Sequence, residues 1–78
     1  MNNRAKWLQQ KLIDAKSQRG EILKVIGKWA AAEKDLAGAL QLAEKMDDSE
    51  RIAALCGGLG MISSLQNAYE KAKEFYEK

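Results

Sequence analysis

Leu59-Gly60-Met61-Ile62-Ser63-Ser64-Leu65-Gln66-Asn67-Ala68-Tyr69-Glu70-Lys71-Ala72 is the stretch that decides how this 78-residue chain is read. Set against the residues 40 places earlier, Gly60 falls on Gly20, Ile62 on Ile22, Tyr69 on Trp29, Ala72 on Ala32 and Tyr76 on Leu36. Further back, Arg51 falls on Lys11 and Ile52 on Leu12. The weak breaks repeat too, one near Gly27 and one near Asn67. Self-similarity at a fixed spacing marks a supersecondary unit written more than once, each copy needing a neighbour to cover its apolar face.

Outward from that stretch the chain reads as all helix. It has no proline, no threonine and a single valine, and its apolar residues recur at spacings of three and four. The first series runs Ala5, Leu8, Leu12, Ala15, then Ile22 or Leu23, and Ile26, with Arg19 as its polar intruder. The second runs Trp29, Ala32, Leu36, Leu40, Ala43, Met46. The third runs Ile52, Leu55, Leu59, Ile62, Leu65, and the fourth Tyr69, Ala72, Tyr76. Asp47-Asp48-Ser49-Glu50 is the clearest break, with Asp47 and Glu50 at capping-box spacing. Four helices are expected, near 4–26, 28–46, 49–66 and 68–78, joined by short antiparallel connections.

Cys56-Gly57-Gly58-Leu59-Gly60 permits a loop or a helix whose missing side chains let another backbone approach. Ile52, Leu55, Leu59 and Ile62 keep one register through the glycines, which favours the continuous helix. No Gly-Lys-Ser/Thr follows, so a phosphate loop is not indicated.

On these residues the chain resembles the tetratricopeptide-repeat (TPR) family, in a lengthened variant of about 40 residues per repeat. Leu59-Gly60 followed by Tyr69-Glu70-Lys71-Ala72 is similar to that family's Leu-Gly in the first helix and aromatic-x-x-Ala opening of the second. Trp29-Ala30-Ala31-Ala32 with Leu36 resembles the preceding copy. The resemblance implies an all-α fold, antiparallel helical hairpins stacked as a short TPR-like α-solenoid of about four helices. One domain would cover residues 1–78, with a first helix-turn-helix unit at 4–46 and a second at 47–78, cut short at its C-terminus. Gly20 and Gly60, with Ala32 and Ala72, would sit at helix crossings, and Trp29, Tyr69, Leu36 and Tyr76 would fill the space between helices. Arg19 stands where the second copy has Leu59, which weakens the first copy.

The resemblance also places a recognition groove on the first helix of each pair. That implies Asp14, Ser17, Gln18, Glu21 and Lys24 in the first copy, and Gly57, Gly58, Met61, Ser64 and Leu65 in the second. Ser17, Glu21 and Gly58 stand where some members hold a peptide carboxylate with Lys and Asn, so that clamp is missing.

Composition limits the chemistry. There is no histidine, which removes the commonest general base and every His-ligated metal, and the one cysteine can form neither an internal disulfide nor a thiolate zinc site. Cys56 is read as a small apolar core residue, and Glu70, Glu74, Glu77, Asp47, Asp48 and Glu50 as capping and solvated charge rather than cation ligands. Exposed-face pairs are expected at Glu70–Lys73 and Glu74–Lys78. Trp29 and Tyr69 are read as core, whereas Trp7 is suited equally to burial and to an interface. Residues 1–40 carry +4 and residues 41–78 carry −2, spread along the chain as solvated helix faces. No apolar run nears the roughly 20 residues of a membrane span, and nothing near Met1 reads as a secretory signal.

The expectation is a cytoplasmic, non-enzymatic protein-protein interaction module with no cofactor, binding a peptide or helix of another protein. Self-association through Trp7, Phe75 and Tyr76, or membership of a longer array, is expected because two repeat units are few. The alternative is a helical bundle serving homodimerisation, and a less favoured one a nucleic-acid-binding helical domain.

Overall fold

Gly27 and Asp47 make the two corners of the fold. The computed structural model describes residues 3–77, which form α1 (Asn3–Val25), α2 (Trp29–Lys45) and α3 (Ser49–Tyr76). Both corners are built alike. Lys28 N–H donates to Leu23 O and Gly27 N–H to Lys24 O; Asp48 N–H donates to Ala43 O and Asp47 N–H to Glu44 O. These are paired Schellman bonds, which need a left-handed residue after the helix, and Gly27 (φ +83°) and Asp47 (φ +55°) supply it.

The cap of α3 sits one residue beyond the expected Asp47–Glu50 box. Asp48 accepts from Arg51 N–H at 3.2 Å, while Asp47 is taken up by the turn. Lys28 at the start of α2 offers no side-chain acceptor.

Three helices replace the expected four, because the break near Asn67 does not form. Ala68, Glu70, Lys71, Ala72 and Lys73 are strong helix formers, and a single Asn without a left-handed residue does not stop them. The helix runs through Gly57, Gly58 and Gly60 as well, in the register that Leu55 and Ile62 keep on the core side.

Helix α2 is central. Its Ala32, Leu36, Ala39 and Ala43 are buried between Ile13 of α1 and Leu55 and Ile62 of α3, with Leu23, Trp29, Leu40, Leu42, Met46, Ile52 and Leu59 around them. Three alanines on the inner face, Ala32, Ala39 and Ala43, let both neighbours come close. Gly20 does the same from α1: a methyl group there would lie 2.6 Å from Leu36 Cδ2 and 3.4 Å from Ala32 O. Its expected counterpart Gly60 has nothing within 4 Å, so the crossing falls at Gly58, where a methyl would meet Leu36 Cδ1 at 3.2 Å and Glu21 Oε1 at 3.1 Å. Since α1 and α3 are each antiparallel to α2, they run parallel to one another.

The core face of α1 is also different. Leu8, Leu12, Ile22 and Ile26, expected inside, are 49–62% exposed, whereas Ile13 is fully buried. The helix has turned by roughly a third of its circumference, which directs Ile13 and Gly20 at α2. The cause is the crossing itself: only the face with Gly20 lets α1 approach Leu36. Four further inward assignments move outward. Cys56 is exposed, Tyr69 is more than half exposed, and Ala72 and Tyr76, expected at a crossing and between helices, are exposed because α3 runs on past Trp29, the first residue of α2.

The Cα trace measures 62 × 19 × 13 Å. No helix among the described residues is long and apolar enough to cross a membrane.

Candidate interaction surfaces

The first surface lies where α1 and α3 run side by side. Arg51 reaches from the first turn of α3 to Asp14, with Nε and Nη2 each 2.9 Å from a carboxylate oxygen, and its Nη1 meets Asp48 at 3.0 Å. The Arg51 hydrogen bond holds the Asp14 carboxyl below the usual range, and the Arg51 backbone N–H is the main cause for Asp48. One turn-pair further, Glu21 faces Gly58 and pairs with Lys24. Ser17 donates to Ile13 O at 2.8 Å and is half-buried.

Of the expected groove residues, Asp14, Ser17, Glu21 and Lys24 are therefore engaged within the chain. Gln18, Met61 and Ser64 are exposed, and Leu65 is half-buried. Gly57 is exposed, and Gly58 lies against α1. Sequence reasoning passed over Arg51 as a groove residue. Its only signal was position, an arginine one step before the apolar series that opens at Ile52.

The second surface is the outer side of α1. Ala5, Leu8, Leu12, Ala15, Ile22 and Ile26 are all exposed, with Trp7 and Val25 beside them. Arg19, in the middle of this stripe, is fixed by Asp35 of α2 through two bonds of 2.7 Å, from Nε and Nη2. That bond keeps the Asp35 carboxyl below its usual range. Lys11 Nζ lies 5.6 Å from the Trp7 ring centroid. Near the end of α2, Gln9 and Leu12 border a notch of about 90 Å³ with Leu42, Lys45 and Met46.

A third feature lies at the Gly27 corner. The Trp29 and Tyr69 rings meet edge to face with centroids 5.7 Å apart, in a cleft of about 690 Å³ shared with Gly27, Gln66 and Glu70. Trp29 Nε1 is buried there without a hydrogen-bond acceptor. Past Tyr69 helix α3 projects with Phe75 and Tyr76 80% and 90% exposed. Lys73 is 4.0 Å from Glu77, in place of the expected Glu70–Lys73 pair; Lys78, the other expected partner, lies outside the described residues.

Comparison with protein families, with curated proteins and with solved structures finds no match for this chain.

Proposed function

We propose that the chain is a non-enzymatic protein-interaction module, a TPR-like helical scaffold that takes a helix or peptide of another protein. One observation carries this reading: among the described residues ten large apolar side chains stand exposed, against seven buried apolar residues that make the core. Exposed apolar area concentrated on helix faces is what partner surfaces consist of. The parallel pair α1 and α3 supports the groove on first helices, with Gln18, Met61, Ser64 and Leu65 as its open part.

Amide shift mapping with a set of amphipathic helical peptides tests the reading. Saturable shifts confined to the exposed faces of α1 and α3 are the expected result. No saturable binding by any peptide contradicts it.

The second reading is homodimerisation, favoured by Phe75 and Tyr76 on the projecting end of α3. Sedimentation across micromolar concentrations distinguishes it: a monomer throughout removes self-association, and a concentration-dependent dimer lost in Phe75→Ser establishes it.

A further inference from the structure

Helix α1 carries two apolar registers, and α2 uses only one. The other consists of residues 5, 8, 12, 15, 19 and 22 with Ile26 in the turn just after the helix, spaced alternately by three and four. That is the a/d spacing of a helix-helix seam, with Ala5, Leu12, Arg19 and Ile26 at one position and Leu8, Ala15 and Ile22 at the other. Every one of the seven is exposed, so no element of the described chain covers them.

The charges along this seam say what does. Its flanking positions are Arg4, Lys11, Gln18 and Val25 on one side and Gln9, Lys16 and Leu23 on the other, with no carboxylate. The two acids of α1 are occupied elsewhere, Asp14 by Arg51 and Glu21 by Lys24. Lys45 adds a further cation at the notch beside Leu12. A second copy is the wrong occupant. Pairing the seam with itself in parallel sets Lys11 against Lys16, and an antiparallel pair also brings only cations, amides and apolar groups together. Like charges across a seam disfavour association and opposite charges direct it.

We infer that the outer face of α1 docks an acidic amphipathic helix of a partner protein, with Glu or Asp flanking its apolar stripe. This rests on the interaction-module reading and adds a second surface, distinct from the α1/α3 groove. The notch between Leu12, Leu42 and Met46 receives one aliphatic side chain of the partner. Arg19 spends Nε and Nη2 on Asp35 and keeps Nη1 for a carboxylate or amide at the facing position, which fixes the register. A lipid surface fits less well, because an ion pair held at 2.7 Å interrupts the middle of a narrow stripe.

The test uses a synthetic helix as long as α1, with Leu and Ile along its stripe and Glu at the flanks, and a control with Lys at the flanks. The Glu helix should bind with amide shifts at Leu8, Leu12, Ala15, Ile22 and Ile26, and the Lys helix about 10-fold or more weaker. The double variant Leu12→Asp/Ile22→Asp should keep the helical circular dichroism of the parent and lose about 100-fold in affinity for the Glu helix. Shifts at Met61 and Ser64 instead would overturn this inference and leave the module reading standing. So would phosphatidylserine vesicles that bind the parent but not the double variant when the Glu helix does not bind. A parent dimer dissociated by the double variant likewise overturns it in favour of a second copy. Absence of binding by either helix anywhere on the chain overturns this inference, while the module reading falls only if the whole peptide set fails to bind.

Discussion

Glycine does two different jobs at the residue scale. At Gly20 an added methyl meets the Leu36 side chain at 2.6 and 2.8 Å, and Leu36 is itself only 1% exposed. Gly20→Ala gains about 1 kcal/mol of helix propensity but forces a core overlap costing about 1–3 kcal/mol. Its expected outcome is a net loss of stability of about 1 kcal/mol in urea unfolding. Gly60→Ala meets nothing within 4 Å and should gain about 0.5–1 kcal/mol by the same measurement. Had the two glycines been equivalent, as the sequence repeat suggests, both substitutions would shift stability in one direction. The carboxylates give a second prediction. Asp14, Asp35 and Asp48 are held below the ordinary carboxylate range, chiefly by the hydrogen bonds from Arg51, Arg19 and the Arg51 backbone N–H respectively. Between their folded and unfolded values the unfolded chain binds more protons, so their stabilisation is present above about pH 4 and lost as pH falls through the folded values. Arg51→Ala removes the side-chain partner of Asp14, so its melting temperature should fall less between about pH 4 and pH 2 than that of the parent. An unchanged pH slope would show that the ion pair contributes nothing in solution.

At the scale of elements, the corners were legible and the rotation of α1 was not. Gly27 and the Asp47-Asp48 pair announce themselves, because a left-handed residue after a helix needs Gly or a short polar side chain. Helix α2 was legible as well, since Ala32, Leu36 and Ala43 offer one apolar face. Helix α1 offers two, with Leu12 beside Ile13 and Ile22 beside Leu23, and periodicity alone cannot choose between adjacent stripes. The choice is made by Gly20 against Leu36, a tertiary contact. The groove residues were legible as positions, but not the partners that occupy them: Ser17 bonds its own helix, and Asp14 is taken by Arg51. Asn67 reads as a break for a related reason, since only the following residues, most of them good helix formers, decide whether it stops anything. The missing cap of α2 yields a prediction here. Lys28→Asp supplies an acceptor for its first-turn N–H groups and a charge that suits the helix dipole, and should stabilise by about 0.5–1 kcal/mol in thermal unfolding. No gain would mean that α2 does not begin at Trp29.

On the scale of the whole molecule, three helices form a thin layer in which α2 is covered on two sides and α1 and α3 each keep an open face. A core of seven buried apolar residues among those described gives such a chain modest stability, so the apolar residues left outside are a substantial part of what the sequence encodes. The central claim is that α1 turns Ile13 inward and leaves Leu12, its neighbour in sequence, outside the core. The most direct measurement compares the unfolding free energies of Ile13→Ala and Leu12→Ala. Ile13 is fully buried, and its truncation should cost about 2–4 kcal/mol. Leu12 is half exposed, and its truncation should cost about 1 kcal/mol or less. Equal costs, or a larger cost at Leu12, would show that α1 presents the other face to the core and would contradict the account.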